Sequence, residues 1–313
     1  MGSSSFALLA VLLVAAVTST HAYCYRGHLT SRQEECHWEY EGETGPDNWG
    51  TICQGSFPVC ASGVEQSPVD LKEAKGTVNR RLYGESFDLE IDWENQEHAV
   101  IFHNGHTVEV EVEGGSSLRV PSILSLERHY GLAQFHFHAP SEHTINGKSF
   151  PLEVHFVHTS GKTLDDEGVK LAVVGFLFEE GSEESAFLAQ LYVEHNLPVD
   201  EESHHHNVSV NFDALFEEVA ALDYFHLHGS LTTPPCTEEV MWFVVKSPIT
   251  ATAAQLELFE GVLHHNNRPI QSLNARKLTS FAEEEPEHEC PEPAATKTQI
   301  NFNFAGMIPE PHC

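Results

Sequence analysis

Two short stretches decide the reading of this chain: Gln134-Phe135-His136-Phe137-His138 and Glu153-Val154-His155-Phe156-Val157-His158. In each, histidines alternate with apolar residues, the period of a strand. The alternation puts His136 and His138 on one face, about 7 Å apart along the strand. Asn146-Gly147, between the stretches, is the strongest short-range hairpin signal. With those two residues as the turn, His155 lies across from His138 on the same face. Pro140 falls inside that hairpin and is expected to disturb the ladder as a bulge. Three imidazoles converging from neighbouring strands make the open, three-ligand arrangement that holds zinc. The chain has 22 histidines, and one taken at random is most often a surface or satisfied core residue. The third histidine, placed by the hairpin, is what lifts this set above a lone H-x-H. His158 alternates to the opposite face and reads as structural.

Outward from this pair the pattern stays strand-like. Phe87–Trp93, Val100–His103, Thr107–Val112 and Leu118–Val120 are short, with turn residues between them. Thr107–Val112 alternates cleanly, which predicts one solvated face. Leu171–Phe178 is a continuous apolar run, the mark of a central strand buried on both faces, and Val240–Lys246 is a second. Helical spacing runs over Ser182–Glu194 and Phe212–Leu222, and Thr252-Ala253-Ala254-Gln255 reads as a capping box opening a helix to about Leu263. Residues 23–65 are irregular and rich in Gly, Pro, Trp and Cys. From Ala282 the chain turns acidic and Pro-rich, as an extended tail would.

The start of the chain reads as a secretory signal. Phe6 to Val17 is apolar but too short to span a bilayer, and Thr20-His21-Ala22 offers a small-residue cleavage site. Its n-region has no Lys or Arg. The expected division is residues 1–22 as signal peptide, 23–281 as one folded domain and 282–313 as tail. The expected destination is outside the cytosol: secreted, periplasmic or in an organelle lumen. No later segment is apolar for long enough to be a transmembrane helix. A net charge of −31 disfavours nucleic acid and anionic membranes as partners and fits a well-solvated surface. Seven cysteines in an exported chain suggest disulfides with one thiol left over, which leaves a disulfide-linked oligomer open.

Six motifs in order resemble an α-class carbonic anhydrase, over about Trp38 to Leu278. Trp38-x-Tyr40 with Gly45-Pro46-x-x-Trp49 comes first, then Gln66-Ser67-Pro68-Val69-Asp70 and Asn104-Gly105-His106. Phe135-His136-Phe137-His138-x-Pro140-Ser141-Glu142-His143-Thr144 with Glu153-Val154-His155 follows. Gly229-Ser230-Leu231-Thr232-Thr233-Pro234-Pro235-Cys236 and Asn267-Arg268-Pro269 complete the set. Binuclear hydrolases of the H-x-H-x-D-H type need an Asp and a His just after the pair, whereas Ala139-Pro140-Ser141 follows here, and no H-E-x-x-H is present. The form of the motifs is most similar to algal and bacterial members. The resemblance implies a mixed α/β fold: one domain around a large, mostly antiparallel twisted sheet with peripheral helices.

It also implies zinc on His136, His138 and His155, and reversible hydration of CO₂ to bicarbonate and a proton. Zinc would bring a bound water to a pKa of about 7, a value known from carbonic anhydrase itself, and the hydroxide would attack CO₂. Thr232 would accept a hydrogen bond from that hydroxide and donate to Glu142, since an ionised carboxylate only accepts. Gln134 and Glu153 would orient His136 and His155, and His138 would use a backbone carbonyl. Val157, Val173, Leu231, Thr233, Val240 and Trp242 would line the CO₂ pocket. Direct proton loss from such a water is limited to roughly 10³ s⁻¹ by a recombination rate near ~10¹⁰ M⁻¹s⁻¹, so faster turnover needs a shuttle of pKa near 7. His106 matches that position. Sulfonamides and anions are the inhibitors to expect.

Two departures stand out. Leu227 occupies a place where the family often has Tyr, and Glu109 replaces an amide in the pocket. Cys60 and Cys236 resemble the disulfide of exported members, and a loop that long is worth about 5 kcal/mol by chain entropy. Asn207-Val208-Ser209 is a glycosylation sequon beside His204-His205-His206, which reads first as a solvated loop. The competing function is a non-catalytic, carbonic anhydrase-like binding or matrix protein, which the intact His136, His138, His155, Thr232 and Glu142 argue against.

Overall fold

The structure, a computed structural model, describes residues 36–72, 78–79, 89–122, 124–126, 129–161, 168–192, 196–201 and 205–282. The expected signal segment, the tail beyond Ala282, Cys24, Cys290, Cys313 and His204 lie outside the described residues.

The strands run in chain order as β1 (Asp70–Leu71), β2 (Val78–Asn79), β3 (Glu90–Asp92), β4 (Gln96–His103), β5 (Val108–Glu111), β6 (Ser117–Arg119), β7 (His129–His138) and β8 (Thr144–Ile145). They continue as β9 (Leu152–Thr159), β10 (Leu171–Gly181), β11 (His206–Val210), β12 (Tyr224–Ser230), β13 (Glu238–Val245), β14 (Ile249–Thr252) and β15 (Thr279–Ala282). The main sheet has the order β11-β4-β5-β7-β9-β10-β13-β12-β15-β2, with β6 on β7, β3 on β6 and β14 on β10. Only β10–β13, β10–β14 and β15–β2 pair parallel within it, so the sheet is mixed and mostly antiparallel. Among the described residues the helices are short and few. Ala253–Leu263 opens with the expected capping box at Thr252 and Gln255. Phe212–Glu218 starts from Asn211, and Ala186–Ala189 from Ser185, each of which accepts a hydrogen bond from a first-turn N–H.

Alternation along β7 and β9 divides the molecule. Phe135, Phe137 and Phe156 point to one side, into a core with Phe176, Phe187, Phe212 and Phe259. Ring centroids of Phe135 and Phe156 lie 5.0 Å apart. The other side carries His136, His138 and His155 beside a smaller cluster that includes Val157, Val173, Val240 and Trp242. β10 is buried from Ala172 to Phe178, as its unbroken apolar run predicts.

The register differs from the sequence expectation by two residues. Asn146-Gly147 does form a two-residue turn, with Ile145 and Lys148 exchanging backbone hydrogen bonds at 3.0 Å and both central residues at positive φ. The pairing stops there, because β8 leaves to pair parallel with β1. The turn therefore does not set the β7–β9 ladder: His136 faces His155, and His138 faces Glu153. A shift of two keeps every side chain on its expected face. Pro140 follows the end of β7 rather than bulging it, and the Ala139–Pro140 peptide is cis. The ladder's irregularity falls between Leu132 and Gln134.

The expected solvated face of Thr107–Val112 is also corrected. Glu109 is 2% exposed and Glu111 only half-buried, because β5 pairs beside His136 and its polar face looks into the site rather than to bulk water.

Candidate metal centre

Three cross-strand rows build the floor of the site. One runs Glu109, His136, His155, Gly175, Val244 across β5, β7, β9, β10 and β13. Next to it runs Gln134, Val157, Val173, Trp242, Leu227, which ends in apolar side chains. The third pairs His138 with Glu153 and Glu153 with Leu177. His136, His138 and His155 offer one ring nitrogen each within 4.8 Å of one another.

Every ligand candidate is held by its other nitrogen. Nδ1 of His136 meets Oε1 of Gln134 at 2.8 Å, Nδ1 of His138 meets the carbonyl of Asn266 at 2.7 Å, and Nε2 of His155 meets Oε1 of Glu153 at 2.8 Å. Each acceptor fixes the proton on that nitrogen and turns the opposite, unprotonated nitrogen inward. Burial holds His136 well below the usual histidine range, with His138 and His155 adding to it, and burial likewise lowers His138. Neutral imidazoles are the ligating form.

Glu153 carries more than one partner. Oε1 also meets Nδ1 of His143 at 2.8 Å, and Oε2 accepts the N–H groups of Glu142 and His143, both at 2.8 Å. Burial opposes ionisation of Glu153, but His143 and His155 outweigh it and keep its pKa well below the usual range. Gly175 makes room for this carboxylate: a Cβ there would lie 3.3 Å from Oε1 of Glu153. Glu142 accepts the Arg268 N–H on Oε1 at 2.8 Å. Its Oε2 is buried without a hydrogen-bond partner, 3.5 Å from Nε2 of His138, which has none either. Two such orphans beside three imidazoles fit a bound cation, and an all-imidazole donor set with an open side suits zinc.

Around this floor, Val157, Val173, Val240 and Trp242 are buried, as is Thr232, while Leu231 and Thr233 are half-buried. Cys60 and Cys236 form a disulfide, and so do Cys36 and Cys53, a pair that sequence alone left open. The carbonyls of both Cys60 and Cys236 accept hydrogen bonds, from Arg268 Nη2 at 3.2 Å and Gln66 Nε2 at 3.1 Å. The bridge thereby joins the Thr232–Cys236 turn to the residue that holds Glu142. His158 is satisfied on the far face by the Trp93 N–H at 3.0 Å, as a structural residue should be.

His106 stacks on Trp38, ring centroids 3.6 Å apart. Burial in that stack, with His37 and His103 nearby, pushes its pKa down to about 4. A shuttle working at neutral pH needs a value near 7, which the ring stacked in this position does not have. Glu109 moves the other way: burial pushes it up to about 8 despite the Asn104 N–H donated to it at 2.7 Å.

Sequence reasoning missed His143 and Asn266. His143 lies inside a quoted motif and needed only a search for what shares Glu153. Asn266 donates to the carbonyls of His106 (3.0 Å) and Phe137 (2.9 Å) and accepts from the Ala139 N–H (2.9 Å). It is 128 residues from His138, and a backbone carbonyl leaves no trace in side-chain identity.

A large mixed sheet presenting three convergent histidines, backed by buried carboxylates, defines the class. The sequence model of the eukaryotic-type carbonic anhydrase family matches residues 44–282, and the chain belongs to that family of enzymes. A carbonic anhydrase of Pectobacterium atrosepticum is 38% identical over 79% of this chain and 91% of its own length. One from Neisseria gonorrhoeae is 37% identical over 86% and 94%. Among solved structures, the α-carbonic anhydrase of Thermovibrio ammonificans in complex with the inhibitor sulfanilamide aligns with TM-score 0.66 and 33% identity, covering 79% of this chain and all of that one. Dioscorin complexed with ascorbate aligns with TM-score 0.66 at 28% identity, over 80% and all of that chain. Membership supports CO₂ hydration in general. No helix among the described residues is long and apolar enough to cross a membrane.

Proposed function

We propose that this protein catalyses the zinc-dependent, reversible hydration of CO₂ to bicarbonate and a proton. The observation that carries this reading is the convergence of His136, His138 and His155, each held from behind by Gln134, Asn266 or Glu153. When bound there, zinc supplies the Lewis acidity that brings the pKa of water to about 7, as established for carbonic anhydrases.

The chain's own residues do the rest. Val157, Val173, Val240, Trp242 and Leu231 give CO₂ a wall that excludes water. Glu142, fixed through Oε1 by Arg268, keeps Oε2 for the Thr232 hydroxyl, so Thr232 can only accept on its other side and aims the attacking oxygen. Thr233 borders the same pocket. His106, leaving Trp38, takes the proton towards solvent.

Sulfonamide and anion binding belong to the same reading, supported by the sulfanilamide complex of the Thermovibrio relative. Export rests on the signal-like residues 1–22, and an N-glycan on Asn207 would depend on it. That residue is exposed on β11, at one end of the sheet order. The reading as a non-catalytic binding protein gains one point, since dioscorin with ascorbate shares the fold. The site residues outweigh it, because binding alone needs no buried acceptor for Thr232. Stopped-flow CO₂ hydration before and after zinc removal decides: the expected result is a fast rate lost with zinc and regained on reloading. A slow rate indifferent to metal would refute the proposal.

A further inference from the structure

The turn that carries His106 holds a second, outward group. β4 ends at His103, and Asn104-Gly105 leads on to His106. The Gly105 N–H donates to Nδ1 of His103 at 3.1 Å, so that nitrogen accepts and the neutral ring carries its proton on Nε2. Gly105 has φ +90°, and a Cβ built there would lie 2.1 Å from Oε1 of Glu201. The Glu201 carboxylate therefore lies against the turn between the two histidines, over the position where residue 105 has no side chain.

Charges around the two rings have opposite effects. His106 faces His37 and His103, which both disfavour positive charge on it. His103 faces Asp200 and Glu201, which favour positive charge, and His264, which opposes it. Asp200 and Glu201 thus act on His103, the ring two residues before the Gly105–His106 step of the same turn. Nδ1 of His106 is buried with no hydrogen-bond partner. Glu201 is exposed and can exchange with buffer.

We propose that Glu201 is the outer proton acceptor of the exit path, taking the proton from His106 and yielding it to buffer, with His103 as the positioning residue of the turn it sits on. This role rests on the reading of His106 as the acceptor in CO₂ hydration. The proton leaves a ring nitrogen of His106, adds to a carboxylate oxygen of Glu201 and passes to a buffer base, which restores both groups.

The test is Glu201→Gln in the zinc-loaded full chain, assayed by stopped-flow CO₂ hydration. In dilute buffer kcat is expected to fall about threefold or more, while concentrated imidazole restores it and kcat/KM for CO₂ does not move. In a His106→Ala background the same change is expected to add no further loss. An unchanged kcat in dilute buffer overturns the role. A parallel fall in kcat and kcat/KM overturns it too, as does a full further loss without His106. If the wild type shows no metal-dependent hydration even in concentrated buffer, the reading of the whole site fails. Wild-type activity with an indifferent Glu201→Gln removes the outer acceptor alone.

Discussion

The floor of the site and its rim are built by opposite rules. On the floor, His136, His138 and His155 are each held by a fixed acceptor, and Glu153 alone meets two imidazoles and two backbone N–H groups. At the rim, His106 is held by one aromatic face and has an unpartnered ring nitrogen. A metal site gains affinity from ligands that cannot turn, because no rotamer freedom is lost on binding. A proton carrier must turn, since it has to meet water on one side and buffer on the other. The contrast assigns rigidity to the paired strands and freedom to the His106 ring alone, since the turn that carries it is hydrogen-bonded through Asn104 and Asn266.

The largest effect is expected on the floor. His155→Ala should leave two ligands and lower CO₂ hydration by roughly 10³-fold or more, with bound zinc, measured by metal analysis, lost alongside. Retained zinc and rate would mean the floor is not the centre. Next, Glu153→Gln keeps the ligands but weakens their support, so zinc affinity in a chelator competition should drop about 10–100-fold. An unchanged affinity would break the claim that the floor's stiffness matters. At the rim, His106→Ala should lower kcat in dilute buffer about tenfold, and imidazole should partly rescue it. A rate indifferent to the mutation would remove the rim from the mechanism.

The smallest effect sits between the two regions. Native Glu109 holds its proton up to about pH 8, whereas an unfolded glutamate loses it near its ordinary value of about 4.3. Between those values the native state binds more protons, so stability falls as pH rises, and the cost is complete above pH 8. Glu109→Gln keeps an acceptor for Asn104 and removes that cost. Its gain in stability should grow by about 4 kcal/mol from pH 5 to pH 8, as read from thermal melts. An equal gain at both pH values would show that Glu109 is ionised in the native state.

Much of this was legible in the residues alone. Alternation put His136, His138 and His155 on one face, and period-two geometry kept that conclusion true even when the register proved two residues off. The Asn146-Gly147 turn misled because turn chemistry is local, while ladder register is set by which strand captures β8. Gln134 and Glu153 could be found because they sit two residues from their ligands. Asn266, which acts through its main chain from far along the sequence, could not. Glu109 was misplaced for a different reason: strict alternation separates two faces but does not distinguish a solvated face from a cleft lined with polar groups.

Gly175 shows how deep the centre extends. It sits in the apolar run of β10, faces His155 across the ladder and has no side chain to offer a metal. Yet a methyl group at that position would press on Oε1 of Glu153, the atom that steers His155. One carbon added to a strand that never touches the ion would thus be felt as a change in how tightly the ion is held. The hydrophobic core on that side is a mould for the histidine floor, and residue 175 is where the mould must stay hollow.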